Sequence, residues 1–259
     1  MFLMVDFSNF CYIHLMVPEL VLRTKFEDVL KGYRPSQHAC RVLADMPLVL
    51  LVGVSASGRN TIVAKLVASG RYNFVVSDTT RKPRINNGVA EREGVEYYFR
   101  TEEQVFYDLK MGEYLEAAII HDQQVSGISI REIERIKYQE RIPVADVQTD
   151  GVESILSVKP DVHCIFILPP SYSEWMRRLD SRGVMSETEK KRRLKSALDE
   201  IRYIQNGDYL VIVNEDLEKS VRQVRGIVEK GERLPYHHSK AERVVKELQA
   251  AIQKDLKHY

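Results

Sequence analysis

The sequence predicts an α/β protein with helices on both faces of a mostly parallel sheet, and three observations carry that expectation. Predominantly apolar runs of strand length recur at residues 48–52, 142–147, 162–168 and 209–214, and hydrophobicity that does not alternate marks strands covered on both faces. Between the runs lie longer stretches with helical spacing of apolar residues, the alternation that builds three-layer parallel sheets. The first run passes into a loop of small residues, GVSASG from Gly53 to Gly58, and then directly into a helical pattern. Strand, tight loop and helix in that order form the frame in which backbone N–H groups surround a phosphate at a helix N-terminus.

In chain order, the opening stretch MFLMVDFSNFCYIHLMV is apolar but interrupted by Asp6 and His14. It has no basic start and no small-residue cleavage site, and it is too short for a spanning helix. It reads as an extension, with translation starting at Met16 as the sharper expectation, which the intact mass of the native protein tests. Pro18 suits a first helical position, and Leu22, Phe26 and Leu30 follow in helical register until Gly32 and Pro35 stop it. Residues 1–46 are thus an extension, partly helical. After the loop, Ile62, Val63, Leu66 and Val67 define the inward face of a helix ended by Gly70. Phe74–Ser77 reads as a short strand, 102–113 as a helix, 113–120 as a strand and 129–140 as a helix on which Ser129 caps with Glu132. Residues 151–158 form a short helix. Pro169 and Pro170 end the strand before the charged helical pair 171–183 and 186–205, and a helix over 215–231 follows the last core strand. In the tail, 232–259, Val244, Val245, Leu248 and Ile252 share one face of a helix over 241–256.

Composition narrows the function classes. With 44% hydrophobic and 29% charged residues, the 259-residue chain is an ordinary globular one, long enough for one domain of about 200 residues with extensions. A net charge of +1 gives no footprint for nucleic acid or an anionic membrane, so neither is an expected partner. Cys11, Cys40 and Cys164 are far apart and lack metal-ligand spacing. They read as free thiols in a reducing, cytoplasmic compartment, and no dedicated metal site of protein ligands is expected.

Two stretches carry chemistry. Gly53 and Gly58 have the spacing of the GxxxxGK[ST] phosphate loop, but Arg59 stands at the lysine position and Asn60 at the hydroxyl position, with Thr61 one residue late. The frame is present and its chemistry altered; a Gly-rich turn without any ligand is the plainer alternative. Farther on, Arg81 and Arg84 flank Pro83, which holds the loop extended. Two guanidinium forks on a stiff loop suit a phosphate ester, and a solvated basic loop is the plainer reading.

Eight segments in one order, GVSASGRNT, SDTTRKPR, GVEYYF, EYLEA, FILPPS, RRLDSRG, KRRL and VIVNEDL, resemble guanylate kinases across residues 47–231. The resemblance implies the P-loop NTPase three-layer fold with a five-stranded parallel core sheet, an acceptor-binding insertion at about 78–140 and a small lid at about 178–200. It implies ATP-dependent phosphorylation of GMP with Mg²⁺. Gly53, Ser55, Gly58, Arg59, Asn60 and Thr61 then hold the donor phosphates, with Asn214 near the donor adenine. Ser77, Arg81, Arg84 and Tyr97 match positions for the acceptor phosphate, Glu91 an acidic residue of the same loop, Glu116 the carboxylate that reads guanine, and Asp146 an acidic strand tip. Arg178, Arg182 and Arg193 match lid arginines around the migrating phosphoryl group.

The departures bear on activity. Arg59 is longer and planar where a compact lysine is usual, Asn60 lacks the hydroxyl that touches Mg²⁺, Ala56 replaces a common loop glycine, and Gln148 stands at a second acidic position. Val125 or Ser126 occupies the place of a tyrosine near guanine, and about four residues are inserted between Arg84 and Glu91. Besides a guanylate kinase, the residues admit a non-catalytic module that binds a nucleotide or a phosphopeptide, or a kinase for another nucleoside monophosphate.

Overall fold

The structure, a computed structural model, describes residues 20–258 except 87, 121, 182, 184, 208, 235 and 237–239. The expectations for the opening stretch, Met16, Pro18 and Arg182 lie outside the described residues.

Two short helices precede the first strand. α1 (Arg23–Leu30) buries Phe26, and α2 (Gln37–Ala44) buries Ala39, Val42 and Leu43; Ser36 caps α2 by accepting from the Ala39 N–H at 3.1 Å. β1 (Val49–Val52) is buried throughout, and α3 (Arg59–Ala68) turns Ile62, Val63 and Leu66 inward. β2 (Tyr72–Phe74) sits two residues earlier than expected. Past Val75 the chain leaves the sheet, because the Glu132 carboxylate takes the Val76 N–H at 3.2 Å.

The next elements are β3 (Asp78–Thr79), the hairpin strands β4 (Ile85–Asn86) and β5 (Val89–Ala90), β6 (Tyr98–Phe99), α4 (Glu102–Lys110), β7 (Tyr114–Ile120), β8 (Gln124–Ser129) and α5 (Ile130–Tyr138). A four-stranded sheet in the order β6-β3-β8-β7 forms a second layer system beside the core. β8 was not legible: QVSGIS carries little strand propensity, and its pairing with β7, from Tyr114↔Ser129 to Ile120↔Gln124, makes it a strand. The expected Ser129–Glu132 capping pair does not form. Ser129 Oγ is buried without a partner. Glu132 instead accepts from Arg135 at 2.7 and 2.8 Å, from the Tyr98 hydroxyl at 3.1 Å and from Val76, charge-assisted donors that outweigh one N-terminal amide.

β9 (Ile142–Asp146), α6 (Thr149–Val158), β10 (His163–Leu168), α7 (Tyr172–Asp180), α8 (Glu187–Gln205), β11 (Leu210–Val213), α9 (Leu217–Lys230) and α10 (Lys240–Leu256) complete the chain. The core sheet has five strands in the order β11-β10-β1-β9-β2, all parallel. Apolar residues of α2, α5, α6, α7, α8 and α10 cover one face and those of α3 and α9 the other. The register pairs Leu51 with Asp146, Val52 with Phe166 and Leu168 with Val213. The loop after β1, Asp146 and Asn214 therefore meet at the carboxyl edge of the sheet, where parallel α/β sheets place ligands. Among the described residues no helix is long and apolar enough to cross a membrane.

The tail belongs to this core. Val244, Val245, Leu248 and Ile252 of α10 are buried in the cluster that also holds Leu194, Ile201 and Phe166. Leu248→Ala should lower unfolding free energy by about 2–4 kcal/mol in urea titration; a change below about 0.5 kcal/mol, the size of a surface substitution, would place α10 outside the cooperative unit.

Candidate active site

The loop between β1 and α3 is shaped by three left-handed residues, Gly53 (φ 135°), Ala56 (φ 64°) and Gly58 (φ 100°). A side chain at Gly53 would place its Cβ 2.2 Å from the Ile167 carbonyl oxygen, and one at Gly58 would place it 2.2 Å from Asn214 Nδ2, so both positions require glycine. Ala56 holds a conformation that costs an L-residue about 1–2 kcal/mol. The strain is met by contacts from three elements. Trp175 Nε1 donates to the Ser55 carbonyl at 2.7 Å, Asn214 Nδ2 and Arg178 donate to the Ser57 carbonyl at 2.8 and 3.2 Å, and Arg193 reaches Ser55 Oγ at 3.2 Å. Gly58 stands at the N-cap of α3, so the loop directs the helix's positive end at its concave side.

That concave side is a cavity of about 260 Å³ lined by Gly53, Ser55, Arg59, Gln148, Arg193 and Glu200 among others. Arg59 lies 2.6 Å from the Asp146 carboxylate and donates to the Val147 carbonyl at 3.3 Å. Burial pushes the Asp146 carboxyl up despite the opposing Arg59 charge. Glu200 Oε2 is buried without a hydrogen-bond partner, and burial lifts this carboxyl to about 7. On the loop's other side a separate cavity, about 370 Å³, is lined by Gly58, Thr61, Arg178 and Asn214. Asn214 is buried, and its amide also accepts from Ser220 Oγ at 3.1 Å, so it braces the loop as well as facing this cavity.

A cavity of about 290 Å³ opens between the two sheets, with Ser77, Tyr97, Glu116, Ser126, Asp146 and Gln148 in its wall. It shares Val147 and Gln148 with the loop cavity, and the Arg59–Asp146 pair spans the two. Glu116 is raised to about 7 by burial, which outweighs a backbone hydrogen bond from Ile128. Behind Tyr97 the Arg81 guanidinium stacks at 4.7 Å from the ring centroid and is held bidentately by Glu91 at 2.5 and 2.9 Å. Arg81 pulls the Glu91 carboxyl down to about 2, and the Arg84 N–H reinforces this at 2.8 Å.

The structure thus gathers Gly53, Ser55, Arg59 and Arg193 around one cavity and Ser77, Tyr97, Glu116 and Asp146 around another. The Arg81–Glu91 pair lines neither cavity and meets the second only through the stack of Arg81 on Tyr97, and the side chains of Arg84 and Asn60 are exposed and line neither. Sequence reasoning passed over Glu200 and Arg192. Glu200 follows Arg193 by seven residues, two helical turns on the same face of α8, and that spacing was the available signal.

Comparison with known proteins follows the same outline. The guanylate kinase family model matches residues 45–231. The guanylate kinase of Corynebacterium diphtheriae is 36% identical over 183 residues, 70% of this chain and 93% of its own length. That of Haemophilus influenzae is 34% identical over 185 residues, 70% of this chain and 86% of its own. The crystal structure of guanylate kinase from Anaplasma phagocytophilum superposes with a TM-score of 0.52 at 25% identity, covering 81% of this chain and 97% of that one. The matched range runs from the strand before the phosphate loop through both cavities to the end of α9, so the chain belongs to the guanylate kinase family.

Proposed function

We propose that the protein transfers the γ-phosphoryl group of ATP to GMP, giving ADP and GDP. The observation that carries this is the meeting of two polar cavities at the Arg59–Asp146 pair, one under a phosphate loop and one with the half-buried carboxylate of Glu116 in its wall. An oxygen of the GMP phosphate attacks the γ-phosphorus while the bond to the β–γ bridging oxygen breaks, and positioning plus positive charge supply most of the catalysis. In this reading the loop from Gly53 to Thr61 cradles the ATP phosphates, Asn214 borders the adenine side, and Arg59, Arg178 and Arg193 meet the developing charge. Arg182 is assigned with them by sequence alone.

Ser77 and Tyr97 border the acceptor phosphate, and Arg81 and Arg84 are assigned to it by the sequence resemblance. Glu91 fixes the Arg81 fork, so that only small side-chain adjustment remains on binding. Among the described residues no three His, Cys, Asp or Glu side chains could hold a metal by themselves. The oxygen donors of Asp146, Gln148 and Glu200 beside the loop fit a Mg²⁺ ion completed by phosphate and water. When bound, that ion neutralises phosphate charge.

A non-catalytic nucleotide-binding module is the second reading, favoured by one contact: Asp146 already neutralises Arg59. ADP formation with ATP and Mg²⁺ separates the two, measured with GMP beside AMP, CMP, UMP and dGMP. GMP-dependent turnover that falls by about 10²-fold or more in Arg81→Ala, the scale of losing a well-aimed charged donor, is the expected result. GMP binding by calorimetry without turnover for any acceptor would establish the module instead.

A further inference from the structure

We propose that Tyr33, in the segment ahead of the family match, is a positioning residue of the acceptor site, its hydroxyl setting the edge strand that carries Glu116. The inference rests on the acceptor cavity taking a nucleoside monophosphate.

β7 is the outer strand of the four-stranded sheet, and its pairing with β8 slips between Tyr114 and Glu116. An edge strand with a register slip leaves backbone groups to be satisfied by something other than a strand. Here one hydroxyl does both tasks: Tyr33 donates to the Tyr114 carbonyl at 2.8 Å and accepts from the Tyr114 N–H at 2.9 Å. Burial raises its phenol to about 12, so it remains a neutral donor at any physiological pH.

Tyr114 ties β7 to β3. Two positions along the strand is Glu116, which also lines a back cavity of about 130 Å³ together with Leu30, Tyr33 and Pro35. Glu116 therefore separates the acceptor cavity from the α1 segment. Through its side chain Tyr114 donates to Asp78 at 2.7 Å, and Asp78 follows Ser77 of the acceptor wall.

The segment bearing Tyr33 is itself held at both ends. Glu102 accepts from the Val21 and Leu22 N–H groups at 3.1 and 2.7 Å, Phe26 meets Phe106 edge-on at 5.9 Å, and the Ser36 N–H donates to the Gly112 carbonyl at 2.9 Å. A tyrosine so anchored fixes the strand rather than following it. Loss of its hydroxyl would leave a donor and an acceptor of Tyr114 unpaired in a partly buried place, and the strand would relax at the slip, beside the carboxylate that contacts the base.

The test compares the full chain with Tyr33→Phe and with Ser36→Ala, which removes the cap of α2 but keeps the Tyr33 hydroxyl. Calorimetry gives Kd for GMP, IMP, AMP, CMP and UMP, steady-state assays give KM and kcat, and melting gives stability. Tyr33→Phe is expected to weaken GMP about tenfold in Kd and KM and to narrow the preference for GMP over AMP, with KM for ATP and kcat within twofold. Ser36→Ala is expected to lower the melting temperature and leave GMP affinity unchanged, separating lost stability from lost positioning. A GMP Kd within twofold in folded Tyr33→Phe overturns the assignment. A parent chain that prefers another monophosphate overturns the guanine reading alone, and the same ratio then decides Tyr33 on that ligand; a parent that binds none overturns both.

Discussion

Arg59→Ala should cut kcat/KM for GMP phosphorylation by about 10²–10³-fold, the usual cost of removing one preorganised charge from a transition state. Arg59 sits on the first turn of α3, 17% exposed in its side chain, at the point where the loop cavity and the acceptor cavity meet. Alanine removes the positive charge there and also leaves Asp146 without its counterion, in a place where burial already raises that carboxyl. Arg59→Lys tests the other half of the argument. A lysine keeps the charge as a compact point and gives up the planar fork, so activity within about tenfold of the parent, either way, is expected for a charge-based role. Urea titration alongside separates loss of chemistry from loss of fold. If Arg59→Ala keeps its rate to within a factor of about three, smaller than any transition-state contact, the phosphoryl group does not pass this residue and the donor assignment falls.

Most of the fold was legible because its strands are buried on both faces. Leu48 to Val52 is an unbroken apolar run, and residues 142–147 and 162–168 are apolar except for Asp146 and His163, without the alternation of a strand that has one wet face, which is the pattern of a covered parallel sheet. The second sheet was harder to read. β8 runs through Gln124, Ser126 and Gly127, where cross-strand pairing with β7 decides the structure and local propensity does not. Glu132 shows the same limit from another side. A serine with a glutamate three residues on predicts a cap, but the carboxylate is taken by Arg135 one helical turn on and by the Tyr98 hydroxyl and the Val76 N–H, two partners distant in sequence that no local pattern displays. The phosphate loop was read from glycine spacing, yet the reason for Gly58, an Asn214 side chain that would lie 2.2 Å from any Cβ placed there, exists only in three dimensions. Tyr33 was invisible for the same reason, since its partner lies 81 residues away.

Glu116 should give the protein a pH-dependent grip on GMP. Its carboxyl is raised to about 7 by burial, whereas a carboxylate that accepts from two adjacent N–H donors of guanine must be ionised. The apparent Kd for GMP is therefore expected to rise about tenfold per pH unit below 7, and to level off above it, since each unit below the pKa leaves a tenth as much ionised form. Glu116→Gln removes that dependence and weakens GMP at pH 8 by about 10²-fold or more, because an amide N–H faces a guanine N–H. The phosphate of GMP titrates in the same range. The ratio of parent to variant Kd at each pH cancels it and isolates Glu116.

Stability carries the same signature with its own sign. The folded carboxyl titrates near 7 and the unfolded one near its ordinary 4.5. Between those values the folded state holds a proton that the unfolded state has released, so this group's contribution is full below pH 4.5 and is lost as pH rises toward 7. Glu116→Gln should flatten that part of the stability profile while the parent slopes downward. A parent whose GMP affinity is flat from pH 5.5 to 8, while its stability relative to Glu116→Gln still slopes, would mean that the raised carboxyl is real but does not touch the base; the difference cancels Glu200, which burial also lifts to about 7. A flat profile in both would mean that Glu116 ionises freely, and the guanine assignment would lose its chemical basis.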